Sequence, residues 1–321
     1  AFLKEGRGDL LASSVLCQFA GSLTKSSLLP LVLVLNVLLL VAACRRYRDL
    51  PALLKDYFRA PRPRRAVLLA GVLLGLGLNV QLYGGNYVRY GRLAPEMADV
   101  FPPAVAMQNR LGARGTVFAL LKEGRISFPT AMELASSISH PGDRRDTMYL
   151  LHNYVERRSR GAPLQGPLAY VVPWTLRMAA GIFGIMGHLS LLNLGPTLAP
   201  FLGLMGLAAL GFAVRWRPRE DGWLPPGLAV IALFYAAFLM YAVNYRTYLY
   251  YESFILALQG RYIFPVLGPL YVLSSWYLLR LFEGRYVRLL VFVAASVVFL
   301  GADFPSFLVR ATPEWFAPPM G

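Results

Sequence analysis

Residues 66–88 read AVLLAGVLLGLGLNVQLYGGNYV, a stretch without a single charged side chain, and it decides the fold class. A bilayer core of roughly 30 Å takes about 20 helical residues. Backbone amides inside lipid have no water to bond, so they must bond to one another, and a helix does this within one segment. Residues 189–214 and 222–245 repeat the pattern, again without charge. Shorter apolar runs at 28–44, 262–279 and 289–302 are flanked by arginines. Hydrophobic residues make up 56% of the chain and charged ones 15%. A soluble domain carries about 25% charged residues, so a soluble globular class is excluded.

The short connections orient the path. Residues 45–65 hold eight basic residues against Asp49 and Asp56. Arg215, Arg217 and Arg219 form a second basic connection, and Arg280, Arg285 and Arg288 a third. With all three on the cytoplasmic side, the expectation is an all-α membrane protein of about seven crossings. Helices are expected near 10–24, 28–44, 66–83, 197–214, 226–243, 263–279 and 289–304. The first is short between its flanking charges and reads equally as a buried or re-entrant segment.

The expected organisation is three helices over 1–83, an extracytoplasmic helical region over 84–196, four helices over 197–304 and an extracytoplasmic tail over 305–321. Residues 169–192 are apolar but broken by Pro173, Arg177, Gly181, Gly184 and Gly187, which reads as an interfacial or re-entrant segment. Before it, 84–168 mixes eleven basic with seven acidic residues. There Asp143 is expected to cap a helix bearing Met148, Leu151 and Val155, which Gly161 and Pro163 end. A connection this long with its own helices is more often functional than not.

The net charge of +15 does not call for nucleic acid, because the positive-inside rule accounts for the basic connections. Cys17 and Cys44 lie in apolar segments and form neither a disulfide framework nor a metal set. His140, His152 and His188 lack metal-ligand spacing, and no nucleophile elbow or phosphate-binding loop is present. The sequence specifies no cofactor.

Four places could carry chemistry. In Gln259-Gly260-Arg261-Tyr262, a guanidinium at headgroup depth can grip two phosphate oxygens, and Gly260 lets the backbone approach closely. An ordinary interfacial anchor uses the same residues. Lys25 is a lone cation among hydroxyls between two apolar helices, suited to a lipid phosphate or to snorkelling. Residues 82–91 end the third crossing at Gly84-Gly85, where Asn86 and Tyr87 suit a sugar or headgroup as well as an aromatic belt. Tyr245, Arg246, Tyr248, Tyr250, Tyr251 and Glu252 fill the expected loop before Arg261. Trp174, Arg177 and His188 lie on the interfacial segment. The carboxylates available for proton transfer on the outer side are Glu96, Asp99 and Glu252, with Asp143 and Asp146; none stands in a paired motif, and surface solvation explains each.

The Leu-Thr-Lys-Ser-Ser turn at 23–27 resembles a segment of polytopic glycosyltransferases of the GT-C fold type. So do the Leu-Tyr-Gly-Gly-Asn-Tyr-Val-Arg-Tyr-Gly helix exit at 82–91, the Gly-Ile-Phe-Gly turn at 181–184 and the Gln-Gly-Arg-Tyr helix entry at 259–262. The nearest likeness is to uncharacterised bacterial membrane proteins related to those enzymes, and it runs in order over most of the chain. The resemblance implies inverting transfer of a sugar from a polyprenyl-phosphate carrier to a glycan, lipid or protein acceptor on the outer face. By it, Lys25 and Arg261 would contact the donor phosphate, and Gln259, Gly260 and Tyr262 would shape the pocket with Asn86, Tyr87, Trp174, Arg177 and His188. Such enzymes place their acidic base in a first external loop ahead of the segment that matches the start here. A chain opening Ala-Phe-Leu-Lys without Met is therefore expected to be a C-terminal portion. A divalent metal assists in some relatives of this type. The composition, rich in Arg, Leu, Ala, Gly and Pro, fits a GC-rich bacterium and hence its inner membrane. The rival classes are a lipid-linked-sugar transporter or flippase, which would need ionisable pairs at mid-membrane, and a structural membrane subunit.

Overall fold

A computed structural model describes residues 8–46, 63–95, 97–102, 105, 107, 109–183, 185–186, 190–191, 195–254, 256, 258 and 260–302. It is built of α-helices; the one strand pairing among the described residues is Ile185–Met186 antiparallel to Ser190–Leu191. Three helices, Arg65–Tyr90, Leu198–Arg215 and Leu224–Tyr251, are long and apolar enough to cross a membrane. The other four expected crossings also fall largely on helices.

Two compact units divide the chain. The first comprises residues 1–164 with 248–253, and the second 165–247 with 254–321.

In the first unit, α1 (Gly8–Thr24) is followed by a 3-10 turn (Ser26–Leu28) and α2 (Leu29–Arg46). Helix α3 starts at Pro63, passes through a π-helical turn at Val80–Gly84 and continues as Gly85–Tyr90. Gly71 and Gly75, four apart on one face, let α1 approach: Leu16 and Phe19 lie 3.2 and 3.0 Å from where their Cβ atoms would be. Small residues at such spacing are the usual means of close helix contact in lipid, where no hydrophobic force acts between helices. A buried polar knot fixes the register. Ser22 Oγ donates to Asn79 Oδ1 at 2.6 Å, and Asn79 Nδ2 donates to the Gly75 and Phe19 carbonyls. Tyr83 Oη donates to the Ser22 carbonyl. Asp9 meets Arg65 near the other end, at 3.8 Å, so α1 and α3 run parallel. The first run is thus a packed helix partner of α3.

The paired glycines do not end α3. The helix runs through Gly84 and Gly85 and stops at Gly91, whose φ of 67° and bond to the Tyr87 carbonyl make a left-handed cap. Glycine alone does not break a helix whose amides have no competing water.

The rest of the first unit is a small helical cluster of α4 (Arg110–Lys122), α5 (Phe128–Ser136) and α6 (Pro141–Ser159). Val117, Phe118, Ala131, Ala135, Leu150 and Leu151 form its core. Helix α6 begins two residues before the residue expected to cap it. His140 is the cap, its Nδ1 accepting from the Asp143 amide at 3.3 Å, and Asp143 lies buried in the first turn. A residue at the third helical position cannot cap, because its own φ and ψ are already helical. Gly161, with φ 61°, follows the helix end.

In the second unit, α7 (Pro167–Phe183) buries Tyr170, Trp174 and Met178, one face at four-residue spacing. Helix α8 (Gly195–Arg215) packs along α10 (Phe264–Leu281), followed by α11 (Arg285–Ala302). Helix α9 starts at Leu224 and runs through a π-helical stretch at Phe238–Tyr245 to Tyr251. The tyrosine-rich residues 245–251 are therefore helical and not loop, because the π turn absorbs an extra residue without releasing the backbone bonds. The exposed faces of α2 and α11, with Leu33, Val37 and Leu40 and with Leu290, Phe292 and Val297, are apolar, as lipid contact requires.

Candidate functional site

Two constructions hold the described sequence-predicted residues with most geometric constraint, one in each unit.

In the second unit the 3-10 turn Gly260–Ile263 sits against the end of α7. Gly260 is buried, and a methyl group there would lie 2.2 Å from the Gly181 carbonyl carbon and 2.4 Å from the Ile182 nitrogen. No residue but glycine fits. Tyr235 Oη donates to the Tyr262 carbonyl at 3.0 Å and holds the turn from α9. Trp174, 5% exposed, donates its indole N–H to Asn244 Oδ1 at 2.9 Å. Its polar tip is thus satisfied inside the helix packing and does not face outward. Below it Tyr170 stacks on Phe254 with centroids 5.4 Å apart and meets Tyr245 at 5.0 Å. Arg177 is exposed, its guanidinium 5.8 Å from the Phe254 ring centre. A cation over a ring keeps its donors available to an anion. Arg261 belongs to the turn through its backbone. Gln259 and His188 lie outside the described residues, as does the Arg261 side chain.

In the first unit Glu252 is the one described non-glycine residue with positive φ, at 53°. A β-carbon makes that conformation cost about 1 kcal/mol, so the surroundings must impose it. Its side chain is 13% exposed, with Arg158 Nη2 3.9 Å from the carboxylate. Lys122 Nζ donates to the Tyr250 carbonyl at 2.6 Å, at the end of α9, and lies 4.5 Å from the Tyr250 ring centre. Arg158 in turn lies over Tyr154 at 5.1 Å. Burial pushes the Lys122 pKa down; the Glu252 charge opposes that shift and Arg158 adds to it. Phe118, fully buried, supports Tyr154, Tyr250 and Tyr251 with centroid distances of 5.1, 5.7 and 4.8 Å. A shielded carboxylate beside two cations and two phenol rings can accept a hydroxyl hydrogen bond. Neither Lys122 nor Arg158 is singled out by the sequence: Lys122 is 128 residues from its partner, and no local spacing signals such a contact.

The other candidates are placed as follows. Lys25, in the first unit, is exposed at the start of the 3-10 turn between α1 and α2, its backbone extended at φ −155°. Asn86 Nδ2 donates to the Leu93 carbonyl at 3.2 Å, and Tyr87 is exposed. Asp99 is ion-paired with Arg92 at 2.9 Å on the surface. Glu96 lies outside the described residues. Among the described residues no three His, Cys, Asp or Glu side chains gather as a metal-holding group.

No known protein family, characterised protein or solved structure matches this chain.

Proposed function

We propose that the chain is part of a GT-C-type membrane glycosyltransferase that moves a sugar from a polyprenyl-phosphate donor to an extracytoplasmic acceptor. In this reading the seven helices all cross a bacterial inner membrane, and the basic connections at 45–65, 215–219 and 280–288 face the cytoplasm. The glycosidic carbon exchanges its bond to the carrier phosphate for one to the acceptor oxygen, with inversion. The phosphate leaves with the bonding electron pair, and a carboxylate takes the acceptor proton. Arg261 offsets the charge growing on the phosphate. Among the described carboxylates Glu252 is the candidate for the acceptor hydroxyl, while the resemblance places the family's own base in an earlier external loop.

The observation that supports this reading best is the seat of Gly260 on Gly181 and Ile182. It brings two of the four segments that carry the family resemblance into backbone contact, although 79 positions separate Gly181 from Gly260. A transporter reading has less support, since it calls for ionisable pairs at mid-membrane.

The test is native mass spectrometry of the detergent-solubilised chain with a polyprenyl phosphate and, as control, the matching polyprenol. The parent should retain the phosphate form selectively, Arg261→Ala should lose it, and Arg261→Lys should be impaired because a point charge cannot make the forked contact. Equal retention of phosphate and alcohol would end the proposal.

A further inference from the structure

At one end of the second unit, α8 ends, α9 begins, α10 ends and α11 begins. Six arginines lie on this end: Arg215, Arg217, Arg219, Arg280, Arg285 and Arg288. The acids among them are Glu220, Asp221 and Glu283, and all three are taken up in ion pairs. Arg280 bonds Asp221 and reaches Glu220 at 3.7 Å, Arg217 meets Glu220 at 3.0 Å, and Arg215 meets Glu283 at 3.1 Å. These pairs hold the Pro218–Asp221 turn beside the end of α10 and the α10–α11 connection beside the end of α8. Tyr277 Oη adds a bond to Asp221 at 3.2 Å.

What remains is positive charge without an acidic partner. Among the described residues Arg219, Arg285 and Arg288 have no carboxylate within ion-pair distance, and Arg288 is tied only through Nε to the Phe282 carbonyl at 3.1 Å. On the same helix ends lie the exposed rings of Trp223 just before α9, Trp276 in α10, 5.7 Å from the Arg280 guanidinium, and Tyr286 in the first turn of α11, with the exposed Leu224, Leu289 and Leu290.

We propose that this end is a binding surface for an anionic phospholipid. Arg219, Arg285 and Arg288 take the headgroup phosphate, the three rings lie at the glycerol level, and the leucines meet the acyl chains. Guanidinium forks match phosphate oxygens, Trp and Tyr settle at the membrane–water boundary, and each basic residue at such a surface strengthens attraction to anionic lipid. A soluble polyanion would use the arginines alone and leave the aliphatic rim in water. Lipid binding at this end is independent of sugar transfer.

The experiment uses the full chain in mild detergent, with phosphatidylglycerol and phosphatidylcholine of identical acyl chains, read by native mass spectrometry. The parent should retain phosphatidylglycerol in preference. Arg219→Ala/Arg285→Ala/Arg288→Ala should weaken it on the order of a hundredfold, about fivefold for each arginine. The triple lysine variant should fall between the parent and the alanine variant, since it keeps the charge but loses the fork, and Arg219→Ala alone, on an exposed turn, should show the single fivefold step. Equal retention of the two lipids by the parent would overturn the proposal. So would an unchanged preference in the folded alanine variants, or displacement of phosphatidylglycerol by an equal concentration of inorganic phosphate.

Discussion

Gly260 and Gly181 meet backbone to backbone, with the Gly181 carbonyl carbon 2.2 Å from where a Gly260 side chain would begin. The contact locks the entry of α10 to the end of α7. It is a steric condition on one atom and so gives a sharp test.

Gly260→Ala is expected to destabilise the second unit by about 1–3 kcal/mol, the usual cost of overpacking. Gly211→Ala should behave alike, since its methyl would lie 2.3 Å from the Tyr277 carbonyl oxygen. Gly206→Ala, with nothing within 4 Å, should be neutral or stabilising because alanine favours helix. Thermal unfolding in detergent separates the three, and equal melting temperatures would refute the close contacts.

The polar knot between α1 and α3 predicts a second effect. Asn79→Ala removes the bonds to Ser22, Phe19 and Gly75 and should cost about 0.6–1.7 kcal/mol, the range seen for interhelical bonds in membranes. Gln18→Ala, which removes a partly exposed bond from Asn36, should cost less. The pair is read by resistance to denaturing detergent, and a larger loss from Gln18→Ala would contradict the knot as the register lock.

Glu252 separates strain from function. Glu252→Gly removes the steric cost of φ 53° and is expected to leave stability equal or about 1 kcal/mol higher, because the Arg158 contact at 3.9 Å is weak. If Glu252 serves the acceptor hydroxyl, both Glu252→Gly and Glu252→Gln should abolish transfer in an assay with a polyprenyl-phosphate sugar. A stable glycine variant with full activity would leave Glu252 no catalytic part.

Asp221 gives a pH dependence. The Arg217 backbone N–H, then the Arg280 guanidinium and the Tyr277 hydroxyl, hold its carboxyl below the ordinary carboxylate range, against the opposing effect of burial. A pKa depressed by folding contributes stability above the unfolded value of about 3.9 and loses it as pH falls through the folded value. The parent should therefore lose melting temperature more steeply than Asp221→Asn on acidification below about pH 4. Parallel acid profiles would show that the Asp221 bonds do not favour the folded state.

The sequence alone determined where the helices lie and which connections carry the positive charge. The reason is local: in lipid a backbone bonds within its own segment, so an uncharged window of about 20 residues is itself the signal. Residues 66–88, 197–214 and 226–243 fall within helices found here. Helix ends were less legible, since Gly84-Gly85 and Tyr245–Tyr251 look like breaks but are carried through by π turns. Tertiary structure alone decided the pairings: Gly260 on Gly181, Ser22 with Asn79, Lys122 on the Tyr250 carbonyl, and Asp221 between Arg280 and Tyr277. These depend on shape and donor geometry between residues far apart in the chain, and neither leaves a periodic trace in sequence.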